Sequence, residues 1–198
     1  MGQKEYYLDN DKATADIREA FKKHVVKMFQ LFGFSKSAAT KKMQNVMKVE
    51  TALAKVSKSR TELRDPEANY NKMTLQEFEA KYPNLPLVKV MNAQGVDTKY
   101  LQEMVVGQPA FLEGANALVA GIKPAEYRDV MEWGFITGAA NYLSDATVAE
   151  SFDFNGRVRS GRKENHPLWK RSTSQVERVI GEALGKIYSE KYFPEAAK

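Results

Sequence analysis

Apolar residues recur every three or four positions along most of this sequence, and that period specifies helix. The clearest run lies near the end. After Pro167 come Trp169, Val176, Val179, Ile180, Ala183, Leu184, Ile187 and Tyr188, which draw one apolar stripe along a core helix. Pro167 suits the first helical turn, where a missing amide proton is no loss and the fixed backbone angle favours entry. Before it, Gly156, Ser160 and Gly161 stand among Arg157, Arg159, Arg162 and Lys163, the composition of an exposed basic loop.

The same period repeats upstream. Asp9, Asn10 and Asp11 offer capping side chains to a helix carrying Ile17, Phe21, Val25, Met28 and Phe32, which Gly33 ends. Ser35 caps a second, with Ala39, Met43, Val46, Met47, Leu53 and Ala54, running to about Val56. The two should pack antiparallel. Thr74 and Glu77 form a capping box for a short helix to about Lys81. Further helices are expected over Pro86–Ala93, from Pro109 to Val119 and from Pro124, with Ser144 capping one that ends near Phe152–Phe154. Met104–Val106 reads as a short strand or an extended linker. Gly134 and Gly138 share a face, which means either close approach of a neighbouring helix or a weak helix. The expectation is an all-α, multi-helix fold over residues 1–198 as one domain. Its core should draw on Phe21, Met28, Val46, Leu53, Trp133, Phe135, Trp169, Ile180 and Leu184.

Composition narrows the function classes. With 43% hydrophobic and 28% charged residues, 198 residues can bury a core without staples. The absence of cysteine removes disulfides, thiolate metal sites and cysteine nucleophiles together. A net charge of +5 invites an acidic partner, but basic residues interleave with Asp and Glu along most helices and no nucleic-acid motif accompanies them. Nucleic acid is therefore not expected as a partner. No run of 18 apolar residues occurs, so no membrane-spanning segment is expected, nor does the opening stretch resemble a signal peptide.

Several ordered features resemble one family. They are Tyr6, Tyr7 and Leu8; the loop with Arg64, Asp65, Pro66, Tyr70, Asn71 and Met73; the phenylalanine-rich end at Phe152–Phe154; Ser160 and Gly161; Pro167, Trp169, Lys170 and Arg171; Gly181 to Gly185; and Tyr188 with Tyr192 to Pro194. Together they look like the neprilysin-type zinc metallopeptidases, which include the endothelin-converting enzymes and bacterial oligopeptidases of that type. The resemblance runs from Tyr6 to Lys198. It implies the helical lid region of a larger enzyme that hydrolyses small peptides, with zinc held elsewhere in the parent. The partners implied are the catalytic domain of that parent and its peptide substrates. An extracytoplasmic parent, periplasmic or membrane-associated, is implied too, while the chain itself leaves the compartment open.

The chemistry inventory departs from the family where catalysis resides. A zinc site of this type needs two histidines one helical turn apart, a glutamate between them and a further acidic ligand. The histidines here are His24 and His166, neither in such a pattern. His24, beside a helical stripe, reads as a surface or packing residue. Asp65 is open to a sharper reading as a catalytic carboxylate, but no base, metal ligand or nucleophile lies near it in sequence. The expectation is no catalytic, cofactor-binding or metal-ligating residue in this chain, with zinc belonging to the parent alone. The alternative is a free-standing helical interaction module. A lid separated from its enzyme exposes apolar surface, so dimers or larger oligomers of the isolated chain are expected.

Overall fold

The structure is a computed structural model that describes residues Met1–Ala197; Lys198, the last residue of the family resemblance, lies outside the described residues. Among the described residues the regular structure is helical, apart from one two-stranded ribbon. After α1 (Glu5–Leu8), the long helices α2 (Lys12–Leu31) and α3 (Lys36–Val56) form an antiparallel pair. Asp11 caps α2 by accepting from the Thr14 amide at 3.0 Å, and Ser35 caps α3 by accepting from Ala38 at 3.2 Å. Gly33 makes the reversal between them at φ +87°, a backbone conformation that side chains disfavour.

Against this pair lie α7 (Pro124–Ala139) and α8 (Asp145–Phe152). The core they enclose holds Phe21, Val25, Met28 and Phe29 from α2, Ala39 and Val46 from α3, Trp133 and Ile136 from α7, and Phe154. Its aromatic rings meet mostly edge to face: Phe21 and Trp133 lie 5.8 Å apart at 72°, and Phe29 and Phe34 5.7 Å apart at 87°. Phe154 reaches this core because α8 does not stop at Phe152. The chain continues as a π-helical turn over Asp153–Val158 and carries Phe154 and Gly156 inward. The basic segment therefore begins as wide helix and becomes a loop only near Gly161.

A second cluster gathers Phe78, Tyr82 and Val106, with Met73, Leu85, Leu87, Met104 and Leu112 packed around them. It lies among α4 (Leu75–Lys81), α5 (Leu87–Ala93), α6 (Pro109–Gly121) and the ribbon of β1 (Asn71–Thr74) with β2 (Glu103–Val106). The strands are antiparallel, with Asn71 opposite Val106 and Thr74 opposite Glu103. β2 resolves the ambiguity at Met104–Val106. β1 stands where a polar loop was expected, because its pairing partner is some thirty residues away and no local pattern announces it. The Thr74 and Glu77 capping box is complete.

α6 packs along α3 at one close approach. A Cβ on Gly114 would sit 2.6 Å from Val56 Cγ2, well inside contact distance. Gly114→Ala should therefore destabilise the chain by about 1–3 kcal/mol through overpacking, read as a lower urea midpoint at unchanged slope. Gly134 and Gly138, by contrast, face open space, so no helix approaches either of them here.

The expected core is right in its first half and wrong in its second. Phe21, Met28, Val46 and Trp133 are buried, and Leu53 is half-buried. Phe135 is 74% exposed and Trp169 68%, while Ile180 and Leu184 are exposed as well. These four are corrections to the core. α9 (Leu168–Tyr192), with Pro167 as its N-cap, buries none of its side chains. Its backbone departs from helical geometry at Ile180 (φ −127°, ψ 25°), beside Gly181, where the weaker helix propensity of glycine lets it bend.

Candidate functional surface

The titratable groups inside the fold are engaged in holding it together. His24, 4% exposed, stacks on Phe154 at 4.9 Å and meets the Trp133 ring edge to face. Its Nδ1 lies 2.8 Å from Glu150 Oε1, and Lys27 Nζ lies 2.5 Å from Glu150 Oε2. Burial pushes the Glu150 carboxyl up, but the hydrogen bonds from His24 and Lys27 outweigh it and hold the group below the ordinary glutamate value. Glu150 is thus an acceptor, and His24 donates to it from Nδ1. The packing reading of His24 is the correct one, and its partner lies 126 residues away.

A lowered folded pKa stabilises the fold above the unfolded pKa, and that contribution is lost as pH falls through the folded pKa. The melting temperature should therefore drop more steeply between about pH 5 and about pH 3 in the native chain than in Glu150→Gln, which has no carboxyl to protonate. Equal slopes would mean that Glu150 is not the linked group.

A second network joins α3 to α7. Lys42 Nζ donates to Asp129 at 2.6 Å and to Glu132 at 2.5 Å, with the Phe34 ring 4.5 Å away, and Asn45 donates to Asp129 at 2.7 Å. Burial opposes the charge on Lys42, yet the two carboxylates hold its pKa above the usual lysine value. At the other end of α3, the Tyr7 hydroxyl hydrogen-bonds Glu50, and burial together with that carboxylate pushes its pKa up.

Asp65, the sharper catalytic alternative, is a turn residue. Its Oδ1 accepts from the Glu67 and Ala68 amides at 3.0 Å each, which uses the carboxylate to order the loop. Lys58 and Asn69 complete that loop: Lys58 Nζ donates to Asn69 Oδ1 at 2.7 Å, and Asn69 Nδ2 donates to the Leu63 and Asp65 carbonyls. Arg64 and Tyr70, which belong to the same loop, take no part in these bonds.

The zinc chemistry of the family does not fit these residues. His24 is committed to Glu150, and His166 lies on the exposed loop before α9. Among the described residues no three His, Cys, Asp or Glu side chains gather to hold a metal ion. Nor is any helix among them long and apolar enough to cross a membrane.

What remains is a surface. Trp169, Val176, Val179, Ile180, Ile187, Tyr188 and Tyr192 are all exposed along α9, and Phe135 on α7 is exposed with them. A helix with so strong an apolar stripe and no buried side chain is helix built for contact.

The neutral endopeptidase of Lactobacillus helveticus is 30% identical over 196 residues, 98% of this chain but 29% of that protein. Human endothelin-converting enzyme 1 is 24% identical over 201 residues, 26% of its length. Two solved structures of a zinc metalloprotease of Mycobacterium tuberculosis superpose closely. One in an open state has a TM-score of 0.94 at 29% identity, covering all of this chain and 30% of that one; one in complex with an inhibitor scores 0.92 at 29% identity, covering 98% and 29%. The chain thus spans under a third of the length of the relatives it matches. The family model, described as peptidase family M13 and specific to its N-terminal region, matches residues 1–198. By fold and by sequence, the chain belongs to peptidase family M13 and corresponds to its N-terminal lid region.

Proposed function

We propose that residues 1–198 act as one helical domain that walls the substrate cavity of a larger zinc metalloendopeptidase. That enzyme would hydrolyse short peptides and exclude folded proteins. The partner of the domain is the zinc-bearing part of the same parent. The observation that carries the reading is α9: 25 helical residues with an apolar stripe and no buried side chain. In a monomeric soluble protein a continuous apolar patch of this kind marks a surface that something covers.

A chimera tests this. The matching region of the Lactobacillus helveticus enzyme is replaced by this chain, and zinc content is measured alongside cleavage of short quenched peptides and of a folded protein bearing the same scissile sequence. Retained zinc, retained cleavage of the short peptides and an intact folded protein are expected. Equal cleavage of both substrates by a zinc-loaded chimera would contradict a cavity-walling role.

A further inference from the structure

A cleft of about 690 Å3 opens between α8, its π-helical extension and the first half of α9. Arg162, Arg171 and Arg178 line it, and none of the three makes an ion pair with a carboxylate among the described residues. Neutral groups hold them instead. Arg178 donates to Gln175 Oε1 at 2.9 Å and to the Tyr142 hydroxyl, which itself donates to Gln175. Arg171 Nε donates to the His166 carbonyl at 3.2 Å, and the Arg162 guanidinium lies 5.6 Å from the centre of the Phe152 ring. Such partners fix an arginine in place and leave its charge uncompensated.

Some other surface cations do have carboxylate partners, at Lys12–Asp16, Lys22–Glu19, Lys72–Glu103 and Arg157–Asp153, so what sets the three arginines apart is that they converge on one cleft. Asp145 also lies on the cleft wall, but it pairs with none of the three arginines. His166, exposed at the edge of the cleft, has its pKa pushed down first by desolvation from the atoms around it and then by the charges of Arg162 and Lys170. The guanidinium fork matches a carboxylate with two parallel hydrogen bonds. Arg171 and Arg178, seven residues apart on one helix, are separated by a rise of about 10 Å, so they suit two carboxylates rather than one. Leu143 and Val148 give the cleft an apolar floor.

We infer that this cleft binds an acidic peptide, taking two carboxylate side chains on Arg171 and Arg178 and an apolar side chain against Leu143 and Val148. The inference concerns binding to this chain itself, so it stands or falls apart from the lid reading. The test is calorimetric titration of the 198-residue chain, at low salt, with a capped tetrapeptide bearing glutamate at both ends and leucine between. Saturable one-to-one binding is expected, with a Kd on the order of 1 mM or tighter. The glutamine twin of the peptide should bind at least about tenfold more weakly, as should the native peptide to Arg171→Gln or Arg178→Gln. Circular dichroism should show both variants folded, and Lys41→Gln, a change at an exposed lysine on α3, should leave affinity intact. Equal binding of the glutamine twin, or an equal loss in Lys41→Gln, would overturn the inference. So would complete displacement by equimolar inorganic phosphate, which would leave a general anion patch and no peptide site.

Discussion

Trp133→Ala lowers the unfolding free energy of this chain by about 3–5 kcal/mol, whereas Trp169→Ala changes it by no more than about 0.5 kcal/mol. The two tryptophans occupy opposite situations. Trp133 is 5% exposed and touches the rings of Phe21, His24 and Phe29, so its removal leaves a cavity that three aromatic neighbours from another helix cannot close. Trp169 is 68% exposed at the start of α9 and has no buried neighbour on its own helix. Urea unfolding of the two variants separates them. Comparable losses would place α9 in the core and remove the physical basis for calling it a contact surface.

The second large effect concerns association. The isolated chain should form reversible dimers or small oligomers through α9, because burying its apolar stripe against a second copy removes from water what the rest of the parent would otherwise cover. Val179→Glu combined with Ile187→Glu puts two charges into that stripe at positions 76% and 61% exposed. The double variant should associate at least about tenfold more weakly, since a buried unpaired carboxylate is costly and two apolar contacts are lost. Its melting temperature at low concentration should match that of the native chain, since neither side chain supports the monomer. Sedimentation velocity across a concentration series gives the answer. A monomeric native chain at high concentration would mean that the stripe does not self-associate.

Features set by neighbours in sequence are legible in the sequence itself. Asp11, Ser35, Thr74 and Ser144 all cap the helices they precede, because capping needs a side chain and an amide within three residues. The glycine stop at Gly33 and the proline starts at Pro109 and Pro124 are local in the same way. The family resemblance, carried by ordered residues from Tyr6 onward, identified the lid region that the comparisons then showed.

Features set by distant partners were hidden. β1 exists because β2 pairs with it, and Asn71 and Lys72 have no strand preference of their own. His24 and Glu150, 126 residues apart, carry no shared spacing to announce them. The larger error, placing Phe135, Trp169, Ile180 and Leu184 in the core, has one cause. Periodicity shows that a helix has an apolar face and says nothing about what covers it. The basic segment from Arg157 to Lys163 read only as exposed loop for a related reason, since the cleft that Arg162 helps to line also needs Tyr142 and Gln175 from other parts of the chain.

The central claim is that this chain supplies wall and no chemistry, and zinc binding tests it most directly. The purified chain is loaded with zinc, freed of excess metal, analysed for bound zinc and assayed against a set of short quenched peptides. With His24 held by Glu150 and His166 alone on an exposed loop, less than stoichiometric zinc and no cleavage above background are expected. One zinc per chain with cleavage abolished by a chelator would contradict the account.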